Sequence, residues 1–150
     1  MTEAVVSVWG SERVGYRDSP RSAFSSMFDS NPAETFSYLA RELSIRKVGS
    51  LHVVEALREP ICAETGVRVT PILRRVFNGT LIANDGYDRD SAEQAVRHEV
   101  TDLISFGVLF LANPDLSIRF EMSASLNSPD VSTFYTGDEK GYADYPTLGG

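Results

Sequence analysis

Two short apolar stretches each run into a glycine, Leu81-Ile82-Ala83-Asn84-Asp85-Gly86 and Leu103-Ile104-Ser105-Phe106-Gly107-Val108. A strand, a glycine and then a helix start aim backbone N–H groups at one point, and that arrangement holds phosphate. Two such junctions on neighbouring strands predict one cup, with Ala83, Asn84, Asp85 and Gly86 as its first wall and Gly107 and Val108 as its second. Such a cup is expected after strands seven and eight of a (β/α)8 barrel. Arg17, at the C-terminal end of another predicted strand, brings a fixed positive charge to the face where barrel enzymes keep their sites.

Other candidate chemistry weighs less. His52 and Glu55 share a predicted strand, but period-two geometry sends positions 52 and 55 to opposite faces, so His52 reads as a packed barrel residue. His98-Glu99 opens like a zinc-protease motif, yet its fifth position is Asp102 and the chain has only 2 histidines. Ser19 and Ser105 have no histidine at a recognisable spacing, so nucleophilic hydrolysis has no support, and no catalytic residue or metal ligand set is assigned.

The elements that would position these residues follow from periodicity. Glu3 to Trp9 reads as a helix stopped at Gly10, and Arg13 to Arg17 as a strand ended by Ser19-Pro20. Asn31 or Ser30 with Pro32 starts a helix whose Phe36, Leu39, Ala40 and Leu43 share one face. Leu51 to Val54 is a strand followed by an irregular segment. Thr70-Pro71 opens a helix reaching Phe77, Leu81 to Ala83 is a strand, and a helix from about Asp90 turns Ala92, Ala95 and Val96 inward. Leu103 to Phe106 is the fourth strand, Asn113-Pro114 caps a last helix through Leu116 and Phe120, and an irregular tail closes the chain. Short apolar strands alternating with amphipathic helices imply a parallel sheet, hence an α/β fold.

Length and composition set outer limits. At 150 residues, 42% hydrophobic and 23% charged, the chain can bury a core as one domain. A formal charge of -7 argues against nucleic acid and anionic membranes, which need clustered Lys and Arg. The longest apolar stretch, Leu103 to Ala112, is half the length that spans a bilayer. No secretory leader is evident, and the single cysteine, Cys62, reads as an inert thiol that cannot form an intrachain disulfide; together these favour the cytoplasm.

Read with the tail motifs Ser132-Thr133-Phe134-Tyr135 and Glu139-Lys140-Gly141-Tyr142-Ala143-Asp144-Tyr145-Pro146, the two junctions give a pattern that resembles the C-terminal half of the Old Yellow Enzyme family. That family comprises FMN-dependent NAD(P)H ene-reductases, including the 12-oxophytodienoate reductases. Ser50-Leu51-His52-Val53-Val54-Glu55 and Arg13-Val14-Gly15-Tyr16-Arg17-Asp18-Ser19-Pro20 extend the resemblance over almost the whole chain, in the family's order. It implies residues 1–150 as strands five to eight of a (β/α)8 TIM barrel, four βα units with an irregular tail. A complete barrel takes about 250 residues.

The resemblance also implies roles. Arg17 would lie against the pyrimidine edge of the flavin, the two junctions would hold its phosphate, and Tyr135 would line the substrate pocket. The family's reaction is NAD(P)H-dependent reduction of α,β-unsaturated carbonyls, but the residues that grip the carbonyl and donate the proton belong to the half of the barrel upstream of this chain. Two positions depart from the pattern: Asp85 stands where relatives usually carry glycine, and Val108 where they usually carry an arginine that pairs with the phosphate. Losing that bidentate contact costs roughly 1.5–3 kcal/mol. A carboxylate about 5 Å from the phosphate adds repulsion of about 3 kcal/mol at an effective dielectric near 20. The expectation is therefore a truncated, impaired FMN-binding form that takes flavin and enone ligands. The alternative is a non-catalytic half-barrel acting through a homo-oligomer or a complementary half-barrel.

Overall fold

The computed structural model describes residues 1–21, 29–56, 68–135 and 138–149. Cys62 and most of the irregular stretch after the second strand lie outside the described residues. The chain divides into two compact units, Met1–Ser105 and Phe106–Gly150.

The first unit is built on a four-stranded sheet. Its elements are α1 (Thr2–Trp9), β1 (Gly15–Arg21), α2 (Pro32–Ile45), β2 (Ser50–Glu55), α3 (Thr70–Arg74), β3 (Thr80–Asn84), α4 (Arg89–Arg97) and β4 (Leu103–Ser105). The strands lie in the order β1-β2-β3-β4, and every pairing is parallel. Each strand thus neighbours the next in sequence, as consecutive βα units require.

Strand β2 shows why the sheet has two unlike faces. Leu51, Val53 and Glu55 are buried, while Ser50, His52 and Val54 alternate with them and are only half-buried. The buried row meets Ala40 and Leu43 of α2, Leu73 of α3, and Val48, Val69, Phe77 and Leu81 in one core. Helix α2 can supply this face because Phe36, Leu39, Ala40 and Leu43 fall on one stripe. It starts at Asn31, whose side-chain oxygen accepts from the Glu34 amide, with Pro32 at the first helical position.

Several predicted boundaries move for physical reasons. Strand β1 does not stop at Ser19-Pro20 but runs on to Arg21. Its register with β2 shifts between Asp18 and Arg21, and a proline without an N–H is tolerated at such an irregularity on an edge strand. Helix α3 ends at Arg74, yet Phe77 is fully buried beyond it, so the apolar period outlasts the helix. In α4, Ala92 is buried but Val96 is 42% exposed and does not turn inward.

Two carboxyl groups enter the buried face, Asp18 midway along β1 and Glu55 at the C-terminal end of β2. Glu55, 2% exposed, accepts from the Val69 amide at 2.7 Å, the Thr70 amide at 2.9 Å and the Thr70 hydroxyl at 2.6 Å. It thereby satisfies the orphan N–H groups that open α3. Arg68 Nε lies 3.7 Å from it, and the same guanidinium donates to the Tyr87 hydroxyl at 3.0 Å. Asp18 is also buried, and neither of its oxygens has a hydrogen-bond partner among the described residues. Burial, and then the neighbouring Glu55 charge, push its carboxyl up from 3.8 to about 7.

The second unit holds two short helices, α5 (Val108–Ala112) and α6 (Leu116–Met122), and a tail held in part by a buried cation. Arg119, 4% exposed, donates to Asp115 at 2.6 Å, to the Ser125 carbonyl at 2.6 Å and to the Pro146 carbonyl at 2.8 Å. The other oxygen of Asp115 accepts from the Leu148 amide at 2.8 Å. Phe106 and Phe120 pack edge to face at 5.3 Å.

The Asp18 proton gives stability a pH dependence of known sign. A carboxyl whose pKa is higher folded than unfolded binds its proton more tightly in the folded state. The stabilisation is complete below about pH 3.8 and lost as pH rises through about 7. Urea unfolding at pH 5 and pH 8 should show the parent losing about 2 to 3 kcal/mol more than Asp18→Asn, at about 1.36 kcal/mol per pH unit. Identical pH slopes for the two proteins would mean that Asp18 ionises as freely in the fold as outside it.

Candidate functional site

The polar groups with chemical potential gather on the sheet face opposite the helices. Arg17 of β1 is exposed and stands in register with His52 of β2, which is in register with Ile82 of β3. His52 Nε2 lies 2.9 Å from the Ser105 hydroxyl on β4. The sequence offers no spacing rule for this pair, because 53 residues separate them and only the sheet brings them together. His52 is therefore a hydrogen-bonded polar residue and not merely a packed one. Burial, and then the Arg17 charge, lower its pKa, so its ring is neutral near pH 7. Glu55 points to the other face, as its register requires.

At the end of β3, Ala83 is buried toward the helices and can offer a ligand only its backbone, whereas the Asn84 side-chain Nδ2 donates to the Ser105 carbonyl at 2.8 Å. Asp85 and Gly86 follow with φ of 87° and 77°, both exposed. The left-handed region costs little for glycine and is unfavourable for aspartate, so Asp85 occupies a position whose backbone suits the glycine of the family pattern. The helix start beyond this turn is already occupied: Asp88 accepts from the Ser91 amide at 2.9 Å while the Ser91 hydroxyl accepts from the Asp88 amide at 3.0 Å. This reciprocal cap was missed in the sequence, though an Asp three residues before a Ser at a helix start was the available signal. The exposed 85–86 turn, rather than the α4 N-terminus, is what this junction presents.

In the second unit, Gly107 caps α5 with no side-chain hydrogen bond, and a Cβ placed on it would meet nothing within 4 Å. Val108 is 49% exposed, so a longer side chain has room there. Tyr135 is 89% exposed with φ of 61°, and its amide donates to the Tyr142 hydroxyl at 2.7 Å. Its ring is held by backbone placement, not by burial. Among the described residues no three side chains of metal-ligating type cluster, and no helix is long and apolar enough to cross a membrane.

Consecutive parallel strands, with helices on one face and polar side chains on the other, define a sector of a βα-barrel. The chain belongs to the NADH:flavin oxidoreductase / NADH oxidase family, whose profile matches residues 1–127. It is 44% identical over 150 residues to a putative 12-oxophytodienoate reductase 3 of rice (Oryza sativa subsp. japonica), covering 97% of this chain and 39% of that protein. Among solved structures, morphinone reductase in complex with tetrahydroNAD matches at 40% identity with a TM-score of 0.85, over 98% of this chain and 39% of that one. The Old Yellow Enzyme homologue of Zymomonas mobilis matches at 36% identity with a TM-score of 0.90, over 98% of this chain and 42% of that one. The four strands are thus a segment of the Old Yellow Enzyme barrel, and the chain spans about 39% of the length of the curated relatives it matches.

Asp85→Gly should relieve the left-handed strain and stabilise the fold by about 1 kcal/mol. Thermal unfolding checks this, and a destabilised variant would show that the aspartate side chain repays its backbone cost through contacts of its own.

Proposed function

We propose that this chain supplies part of the FMN seat of an Old Yellow Enzyme-like NAD(P)H oxidoreductase, as strands five to eight of its barrel. The observation that carries this reading is Arg17, an exposed cation on the open face of a sheet that superposes on these flavoenzymes. In this reading Arg17 meets the ring edge, where its fixed charge favours negative charge on the ligand. Asn84, Asp85, Gly86 and the backbone of Ala83 serve one side of the phosphate. The family pattern gives Gly107 and Val108 a phosphate-holding role as well, and they stand where α5 begins without a side-chain cap. Tyr135, with its ring exposed, fits a role in the substrate pocket. Bound FMN would supply hydride transfer between NAD(P)H and an α,β-unsaturated carbonyl. What these residues do themselves is bind, orient and neutralise.

The residues fit the cofactor in outline and weaken it in detail. The positive φ at Asp85 and the open space at Gly107 suit a close backbone approach to an anion. The Asp85 carboxylate opposes that anion, and Val108 offers it no donor side chain. A second reading, a non-catalytic half-barrel that associates with itself or with a complementary half, draws on Leu103, which is 53% exposed on edge strand β4.

Fluorescence titration tests the flavin reading. FMN should bind the parent no tighter than about micromolar, and Val108→Arg should tighten it about tenfold, the equivalent of ~1.4 kcal/mol. Asp85→Gly should act in the same direction, and both gains should shrink in high salt. Stoichiometric yellow cofactor on the purified parent would contradict the impaired form. No response to either substitution in folded protein would remove these two junctions from the phosphate site.

A further inference from the structure

On the open face of the sheet, a cation and a titratable ring are neighbours with no carboxylate beside them among the described residues. Arg17 and His52 are register partners on adjacent parallel strands, so their side chains leave the same face. No ion pair joins Arg17 to a carboxylate among the described residues. Among the described residues, the groups that face His52 are Arg17 from β1, Ile82 and Asn84 from β3, and Ser105 from β4, with Ser50 and Val54 on its own strand. Arg17 is the one charge among them. Asp18 and Glu55, the nearest carboxyl groups in sequence, belong to the buried row on the opposite face.

This arrangement links two binding events. We propose that Arg17 and His52 form a proton-linked anion site, in which an oxyanion seated on Arg17 is bound together with a proton on His52, while Ser105 holds the imidazole in place. The physical cause is reciprocal. With Arg17 bare, a second positive charge on His52 is repelled; an anion on Arg17 cancels that repulsion and admits the proton. By linkage, the protonated ring strengthens the hold on the anion by the same factor. Ser105 suits both states, because a hydroxyl can donate to a neutral ring nitrogen and can equally accept from a protonated one. The inference rests on the assignment of Arg17 to the flavin seat and adds to it that affinity for a negatively charged ligand rises as pH falls through the His52 titration.

The chain has 2 histidines, His52 and His98, so a proton NMR titration of the ring signals separates them, with His52→Gln as the assignment control. His98 caps the end of α4, is exposed, and serves as the internal reference. In sodium sulfate, against sodium chloride of equal ionic strength, the His52 pKa should rise by about half a unit or more while His98 stays put. Arg17→Gln should raise the His52 pKa without sulfate and abolish the further rise; Arg17→Lys, which keeps the charge, should preserve it. Equal movement of both histidines is a general salt effect and overturns the proposal, as does a His52 signal indifferent to sulfate in protein with a dispersed amide spectrum. An arm with FMN photoreduced under anaerobic conditions, whose ring then carries negative charge at its pyrimidine edge, separates the two readings. A rise with sulfate but none with reduced FMN sustains the anion site and removes the flavin from it, whereas a rise with both sustains the site and its ligand together.

Discussion

The Glu55 carboxylate at the start of α3 is the interaction on which the first unit's architecture turns. A buried carboxylate is tolerable only if its oxygens find donors, and here two backbone amides and one hydroxyl converge on it. That requirement fixes where the chain must re-enter after β2, because Val69 and Thr70 have to present their N–H groups at the strand's end. Arg68, one residue earlier, then reaches both toward Glu55 and to the Tyr87 hydroxyl, with its guanidinium 5.8 Å from the Tyr87 ring centre. The end of β2, the start of α3 and the turn beyond β3 are thereby tied through one acidic side chain. Burial, with the same charge beside it, keeps Asp18 on the neighbouring strand protonated toward neutrality. Replacing Glu55 would cost more than a hydrogen bond, since three donors would be left facing an apolar space.

The alternation of strand side chains also segregates charge. Along β1 and β2 the acidic groups, Asp18 and Glu55, fall in the buried row, while Arg17 and His52 fall in the open one. Arg17 and Asp18, neighbours in the chain, are thus separated by the thickness of a backbone and do not pair. Along these two strands the charge left on the open face is that of Arg17, a local cation within a chain of net charge -7.

How much of this was legible in the sequence depends on the range of the interactions. The parallel order of the strands, the α2 stripe of Phe36, Leu39, Ala40 and Leu43, and the Asn31-Pro32 start are local patterns, and they were readable. The run of β1 through Pro20 was not, because the bulge that accommodates a proline is set by the partner strand. Nor was the burial of Phe77, which follows the end of its helix. Candidate residues identified by backbone punctuation, Asp85, Gly86 and Gly107, do sit at turns or helix starts. The contact between His52 and Ser105 bridges strands separated by a third, and no spacing in one dimension encodes it.

The grip of Arg119 on the tail has an implication for how this region tolerates change. Its two tail partners, the carbonyls of Ser125 and Pro146, are main-chain groups, and so is the Leu148 amide held by Asp115. None of these bonds reads the identity of the residue it holds. At these three points the fastening is therefore indifferent to side-chain identity and strict only about the path of the backbone, whereas Asn127, whose side chain donates to the Ala112 and Pro146 carbonyls, is read by its own chemistry and is not open to the same rewriting.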